Sequence, residues 1–121
     1  GKLEKEESNW VFISKGMTLH IKDSHYQYAN LKEGGVIFGL RPEDIYDSYF
    51  SEIKDDGNTV NSKVELTEYL GSEMNVHLSS ESNNFTARFN QIIESSRKNM
   101  ISVIFDVNKG HFFDINNEKI Y

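Results

Sequence analysis

The sequence predicts an all-β fold, a small barrel or sandwich. Its apolar residues gather in short, interrupted runs, several alternating with polar residues at the period of a half-buried strand. Turn residues separate these runs at intervals of roughly ten residues, the rhythm of sandwiches and small barrels. Gln91 to Asn99 is the one convincing helical candidate, and the polar tail after Ile92 and Ile93 limits it to about two turns at most.

The elements follow in chain order. Trp10-Val11-Phe12-Ile13 and Met17-Thr18-Leu19-His20-Ile21 read as strands, and Lys15-Gly16 between them as a tight hairpin turn. Asp23 to Leu31 carries Tyr26, Tyr28 and Leu31 among polar residues and fits either a loop or a short helix. Gly35 to Leu40 is almost continuously apolar, which predicts a strand buried on both faces. Pro42, the chain's only proline, ends it, because proline fixes φ and donates nothing to a ladder.

Asp47 to Asn61 is polar and holds Asp55-Asp56-Gly57-Asn58, a turn signal, so it reads as an exposed connection between two lobes. Val64 to Leu70 and Met74 to Leu78 form a hairpin about Gly71-Ser72. The polar turn Ser79 to Asn84 leads into Phe85 to Phe89, with Phe85, Ala87 and Phe89 on one face. Ile101 to Phe105 is a strand, Asn108-Lys109-Gly110 a turn, and His111-Phe112-Phe113 a strand. Asn116-Asn117 turns once more before Lys119-Ile120-Tyr121. Residues 1–121 are expected to form a single domain. One lobe spans 1–47 with part of the C-terminal end, and the other spans 61–114. Opening at Gly1, the chain is expected to derive from a longer parent.

Composition narrows the function. At 121 residues the chain has room for one core, and 37% hydrophobic with 26% charged residues is ordinary for a globular domain. Without cysteine there is no disulfide, thiolate metal site or cysteine nucleophile, which fits a reducing cytoplasm. The formal net charge is −6, and the richest basic stretch is the pair Arg97-Lys98. Nucleic-acid binding draws on clustered Lys and Arg, and an anionic membrane repels an acidic surface, so neither partner is expected.

Motifs for chemistry are missing in the same way. A P-loop needs glycines to bring N–H groups to phosphate, followed by Lys and Ser or Thr. Glu33-Gly34-Gly35 is too short for this and reads as a plain turn. His20, His25, His77 and His111 are scattered without zinc-ligand spacing. His77 reads as a half-exposed strand residue, and His111 as packing or capping a turn. Glu43-Asp44 and Asp55-Asp56-Gly57-Asn58 lack the spacing and distal Glu of a calcium loop. No serine sits in a Gly-x-Ser-x-Gly frame. No catalytic, cofactor-binding or metal-binding residue is expected.

Three stretches in order are more specific: Phe38-Gly39-Leu40-Arg41-Pro42-Glu43-Asp44-Ile45, then Val64-Glu65-Leu66-Thr67-Glu68-Tyr69-Leu70-Gly71-Ser72-Glu73, then Phe105-Asp106 with His111-Phe112-Phe113-Asp114. Together they resemble the C-terminal TOBE-type domain of ATP-binding subunits in the maltose and oligosaccharide importer family of ABC transporters. That domain's pattern is Gly-Ile/Leu-Arg-Pro-Glu, Val-Glu-x-x-Glu-x-Leu-Gly-Ser/Asn-Glu and Phe-Asp-x-x-x-x-His-x-Phe-Asp. The resemblance covers nearly the whole chain and is loosest over Gly1 to Ile21. It departs from the family's glycine-rich loops at Ser82-Asn83-Asn84 and Ser95-Ser96.

The resemblance implies an OB-like small barrel or sandwich of two closely packed lobes, with the ATPase domain absent from this chain. It marks Gly39, Arg41, Pro42 and Glu43, then Glu65, Glu68, Leu70, Gly71 and Glu73, then Phe105, Asp106, His111, Phe113 and Asp114, each as structural or interfacial. Arg41 would pair with Glu43 or Glu68, and Gly71 would take a backbone conformation that a Cβ opposes. The implied role is regulation and dimerisation of a carbohydrate-importer subunit, cytoplasmic and peripheral on the inner face of the membrane. ATP and Mg²⁺ would belong to the full-length protein. The implied partners are a second copy, membrane permease subunits and a regulatory protein. Two rivals stand beside this role: a sensor of a small oxyanion or sugar, and a single-stranded nucleic-acid binder stacking bases on Phe85 and Phe89.

Overall fold

A computed structural model describes residues 1–7, 9–22, 32–48, 58–90 and 99–114. The segments 23–31, 49–57, 91–98 and 115–121 lie outside the described residues, and with them the expected helix at Gln91, the turn at Asp55 and the closing strand.

The chain folds into strands joined by tight turns, with no α-helix among the described residues. Strands β1 (Lys2–Glu6), β2 (Asn9–Ser14), β3 (Met17–Lys22) and β4 (Gly34–Gly35) make one antiparallel sheet in the order β3-β2-β1-β4. Strands β5 (Ile37–Gly39) and β11 (His111–Phe113) pair with each other. Strands β6 (Ile45–Asp47), β7 (Thr59–Tyr69), β8 (Met74–Ser80), β9 (Asn83–Phe89) and β10 (Met100–Phe105) form a third sheet, ordered β6-β10-β7-β8-β9. Its opposite edges, β6 and β9, touch, so the sheet curls into a half-barrel of the expected OB-like, all-β kind.

One apolar cluster unites the sheets, with Leu3, Phe12, Leu19 and Ile21 from the first and Val76, Leu78, Ala87, Phe89 and Val103 from the third. Phe112 is fully buried at the centre, its ring centroid 4.9 Å from that of Phe38 and 6.1 Å from that of Phe12. Two side chains stitch the sheets together. Asn58, itself buried, accepts a hydrogen bond from the His20 N–H at 2.6 Å and donates one to the His20 carbonyl at 3.0 Å. It thus stands where a neighbouring strand would pair with the edge strand β3. Asn83 donates to the Ser14 carbonyl and accepts from the Ser14 hydroxyl, each at 2.9 Å, which joins the β8–β9 hairpin to the β2–β3 hairpin.

Several expectations are corrected. The strand β1, Lys-Leu-Glu-Lys-Glu, carries little apolar signal, because only Leu3 is fully buried among charged neighbours. Gly35 to Leu40 is not one strand buried on both faces. Gly34–Gly35 pairs with β1, Ile37–Gly39 pairs with β11, and Ile37 is exposed. Glu33-Gly34-Gly35 is therefore not a plain turn. The polar stretch from Asp47 to Asn61 is not wholly an exposed connection either. Asp47 and Asn58 are buried, and β7 begins at Thr59.

Candidate functional site

The first and third motifs meet in space. Pro42–Asp44 and Val107–Lys109 each form a 3₁₀ turn. Proline suits the first position of such a turn, where its missing N–H costs nothing. Arg41 precedes it in extended conformation, and its carbonyl accepts from the Asp44 N–H at 2.9 Å. The Asp44 carbonyl accepts from the Asp106 N–H at 3.0 Å, which binds one turn to the other.

Lys109 closes the junction. Its ammonium lies 3.8 Å from Asp44 Oδ1, 3.7 Å from Asp106 Oδ2 and 3.5 Å from the Tyr46 hydroxyl. The Tyr46 contact first, then the two carboxylates, hold the Lys109 amine above the ordinary lysine range. Behind the turns, Gly39 opposes His111, and a Cβ on Gly39 would come within 3.2 Å of the Phe113 ring. Gly110 is tighter, since its Cβ would fall 2.2 Å from the Phe38 ring. Phe105 is buried and meets Phe85 edge to face at 5.1 Å. The junction therefore serves to lock the strands.

Arg41 and Glu43 stand exposed beside this junction, while Asp106, His111, Phe113 and Asp114 are partly buried within it. The expected ion pair from Arg41 to Glu43 or Glu68 does not form. Glu68 is held by His77 instead, with Oε1 at 2.6 Å from Nε2. That imidazole also touches the Thr86 hydroxyl through Nδ1 at 3.1 Å. Glu68, His77 and Thr86 come from three adjacent strands and form a row across the sheet's outer face. Only register could reveal this row, and the sequence alone does not supply it. It resembles a hydrolytic relay in composition, but it lies on an open sheet rather than in a cleft.

The second motif lies apart from the junction, on the β7–β8 hairpin. Glu65, Glu68, Leu70, Gly71 and Glu73 are all exposed. Gly71 has φ +80°, the left-handed conformation expected of it, and no atom crowds the place of its absent Cβ. The bulge between Val64 and Leu66 sends Leu66 to the outer face opposite His77, while Val64 stays opposite buried Leu78. Leu66, Tyr69 and Leu70 are 58%, 67% and 51% exposed.

Elsewhere, Glu6, Glu7, Asn9, Trp10, Val11 and His20 line an open groove of about 470 Å³. Its carboxylates disfavour an oxyanion. Phe89, considered for base stacking, is buried, and Phe85 is turned against Phe105. Among the described residues, no three His, Asp or Glu side chains are placed to hold a metal ion. No helix among them is long and apolar enough to cross a membrane.

Residues 38–113, more than half of the chain, match the model of the TOBE domain. The chain is 36% identical over 83 residues to the oligosaccharides import ATP-binding protein MsmX of Bacillus subtilis, covering 69% of this chain and 23% of that protein. It is 41% identical over 80 residues to the trehalose/maltose import ATP-binding protein MalK of Thermococcus litoralis, covering 65% and 22%. With the multiple sugar-binding transport ATP-binding protein MsmK of Streptococcus mutans it shares 30% identity over 118 residues, covering 98% and 30%. The chain thus spans between about a fifth and a third of the length of these relatives.

Proposed function

The chain belongs to the TOBE domain family, and from that membership we propose that it is the non-catalytic regulatory and dimerisation domain of a carbohydrate-importer ATP-binding subunit. The observation that carries this reading is the family match over residues 38–113, joined to the three relatives above, which are named as sugar import or transport ATP-binding proteins. ATP and Mg²⁺ would be held by the ATPase part of a longer subunit, since this chain has no Gly-x-x-x-x-Gly-Lys-Ser/Thr segment. The domain would work in the cytoplasm, on a subunit seated at the inner face of the membrane against permease subunits. Its locked junction of turns suits a rigid body that keeps two subunits paired while their ATPase parts open and close.

A graft tests the reading. The chain replaces the matching C-terminal segment of the Bacillus subtilis relative, in cells that lack that protein's own gene. Restored uptake of the oligosaccharide is expected, with no uptake from the ATPase part alone. A folded, ATP-hydrolysing graft that restores nothing would overturn the transport role. Sedimentation of the isolated chain tests the pairing: a concentration-dependent dimer is expected, and a strict monomer at high concentration counts against it.

A further inference from the structure

We propose that the distal half of the β7–β8 hairpin is a docking element that inserts Tyr69 and Leu70 into an apolar pocket, rimmed by Lys and Arg, on a protein partner. This goes beyond the regulatory role above by naming a surface and the partner's chemistry, and it stands whether or not the parent is a transporter subunit.

Exposure comes first. Leu66, Tyr69 and Leu70 are each more than half exposed within five residues of chain, whereas the neighbouring Met74, Val76 and Leu78 are at most 2% exposed. Isolated surface hydrophobics need no explanation, whereas three large ones within five residues of one hairpin concentrate exposed apolar area at its distal end. Tyrosine is among the side chains that most often anchor interfaces.

Placement gives the mode of binding. The bulge turns Leu66 to the outer face with His77, Tyr69 lies opposite Met74 toward the inner face, and Leu70 sits in the connecting turn. Apolar groups on both faces and at the tip suit insertion into a pocket better than contact with a flat surface. The tip is also held in advance. The Leu70 N–H donates to the Glu73 carbonyl at 2.8 Å, Gly71 supplies the left-handed turn, and His77 fixes Glu68. A preordered element loses little entropy on docking.

Charge selects the partner. Glu65, Glu68 and Glu73 flank the apolar residues and are exposed, on a chain of net charge −6. Lys63 lies 4.0 Å from Glu65 and offsets only part of this. A second copy would bring the same carboxylates against one another, and an anionic membrane would repel them, whereas a cationic rim is attracted.

The test titrates the isotopically labelled 121-residue chain with an amphipathic Leu/Lys peptide of about 18 residues, followed by amide NMR. Shifts concentrated on residues 65–73 are expected, together with at least about a tenfold loss of affinity in the double variant Tyr69→Ser, Leu70→Ser. Replacing Glu65, Glu68 and Glu73 by Gln should flatten the salt dependence and leave the circular dichroism spectrum unchanged. Shifts spread over other carboxylates, or undiminished affinity in the double variant, would overturn the proposal. So would a self-association of the free chain that the same double variant abolishes, or binding of the tip to anionic vesicles. None of these outcomes bears on the transport role, which the uptake graft tests separately.

Discussion

Two glycines at turns show how one residue type answers two physical demands. At Gly71 the space beside the backbone is open, so only the left-handed torsion opposes a side chain. At Gly110 φ is −83°, an ordinary value, and the Phe38 ring leaves no room for a Cβ. Gly71→Ala should therefore cost about 1–2 kcal/mol, and Gly71→Asn less, because asparagine tolerates that torsion. Gly110→Ala should cost about 1–3 kcal/mol or more, with Asn no better, because the Phe12, Phe38 and Phe112 cluster cannot yield. Urea denaturation of the four variants checks this ordering. Equal losses at both glycines would mean that torsion, not crowding, governs each.

At the scale of elements, the joint between the β2–β3 and β8–β9 hairpins rests on Asn83. Its side chain bonds Ser14 twice and the Ser80 carbonyl at 3.1 Å, all from a half-buried position. Glu81 and Ser82 hold positive φ beside it, and Gly16 turns directly against Glu81. Asn83→Ala should cost about 1–3 kcal/mol by leaving these partners unpaired. The exposed neighbour Asn84→Ala should change stability by no more than about 0.5 kcal/mol. Thermal melts of the two variants separate a specific joint from a general intolerance of this turn.

At the scale of the molecule, one continuous core runs under all three sheets, and Asn58 joins the first to the third. The first sheet contains the only tryptophan, Trp10, which is buried. Unfolding followed by Trp10 fluorescence should therefore coincide with unfolding followed by far-UV circular dichroism, as for one cooperative unit. Tryptophan exposure at lower urea than the loss of strand signal would mean that the first sheet opens independently.

Much of this was legible in the sequence because it depends on local chemistry. Lys15-Gly16, Pro42 and Gly71 end or turn their elements through torsional limits that any environment imposes. The alternation in Met74 to Leu78 names its buried face by period alone, and the three ordered motifs led to the family. Tertiary structure decided whatever depends on which strands become neighbours. Alternation counted from Val64 would put Leu66 inside, but the bulge turns it outward. The polar Asn58 is buried because a strand edge needs its amide. The row of Glu68, His77 and Thr86 exists only through the register of three strands. Local propensity acts within a few residues, whereas pairing and burial are settled by contacts distant in sequence. This chain's sequence alone therefore determined its all-β class, its sharpest turns and its kinship, and only the packed fold decided which motif residues are buried at the junction of turns and which stand exposed on the β7–β8 hairpin.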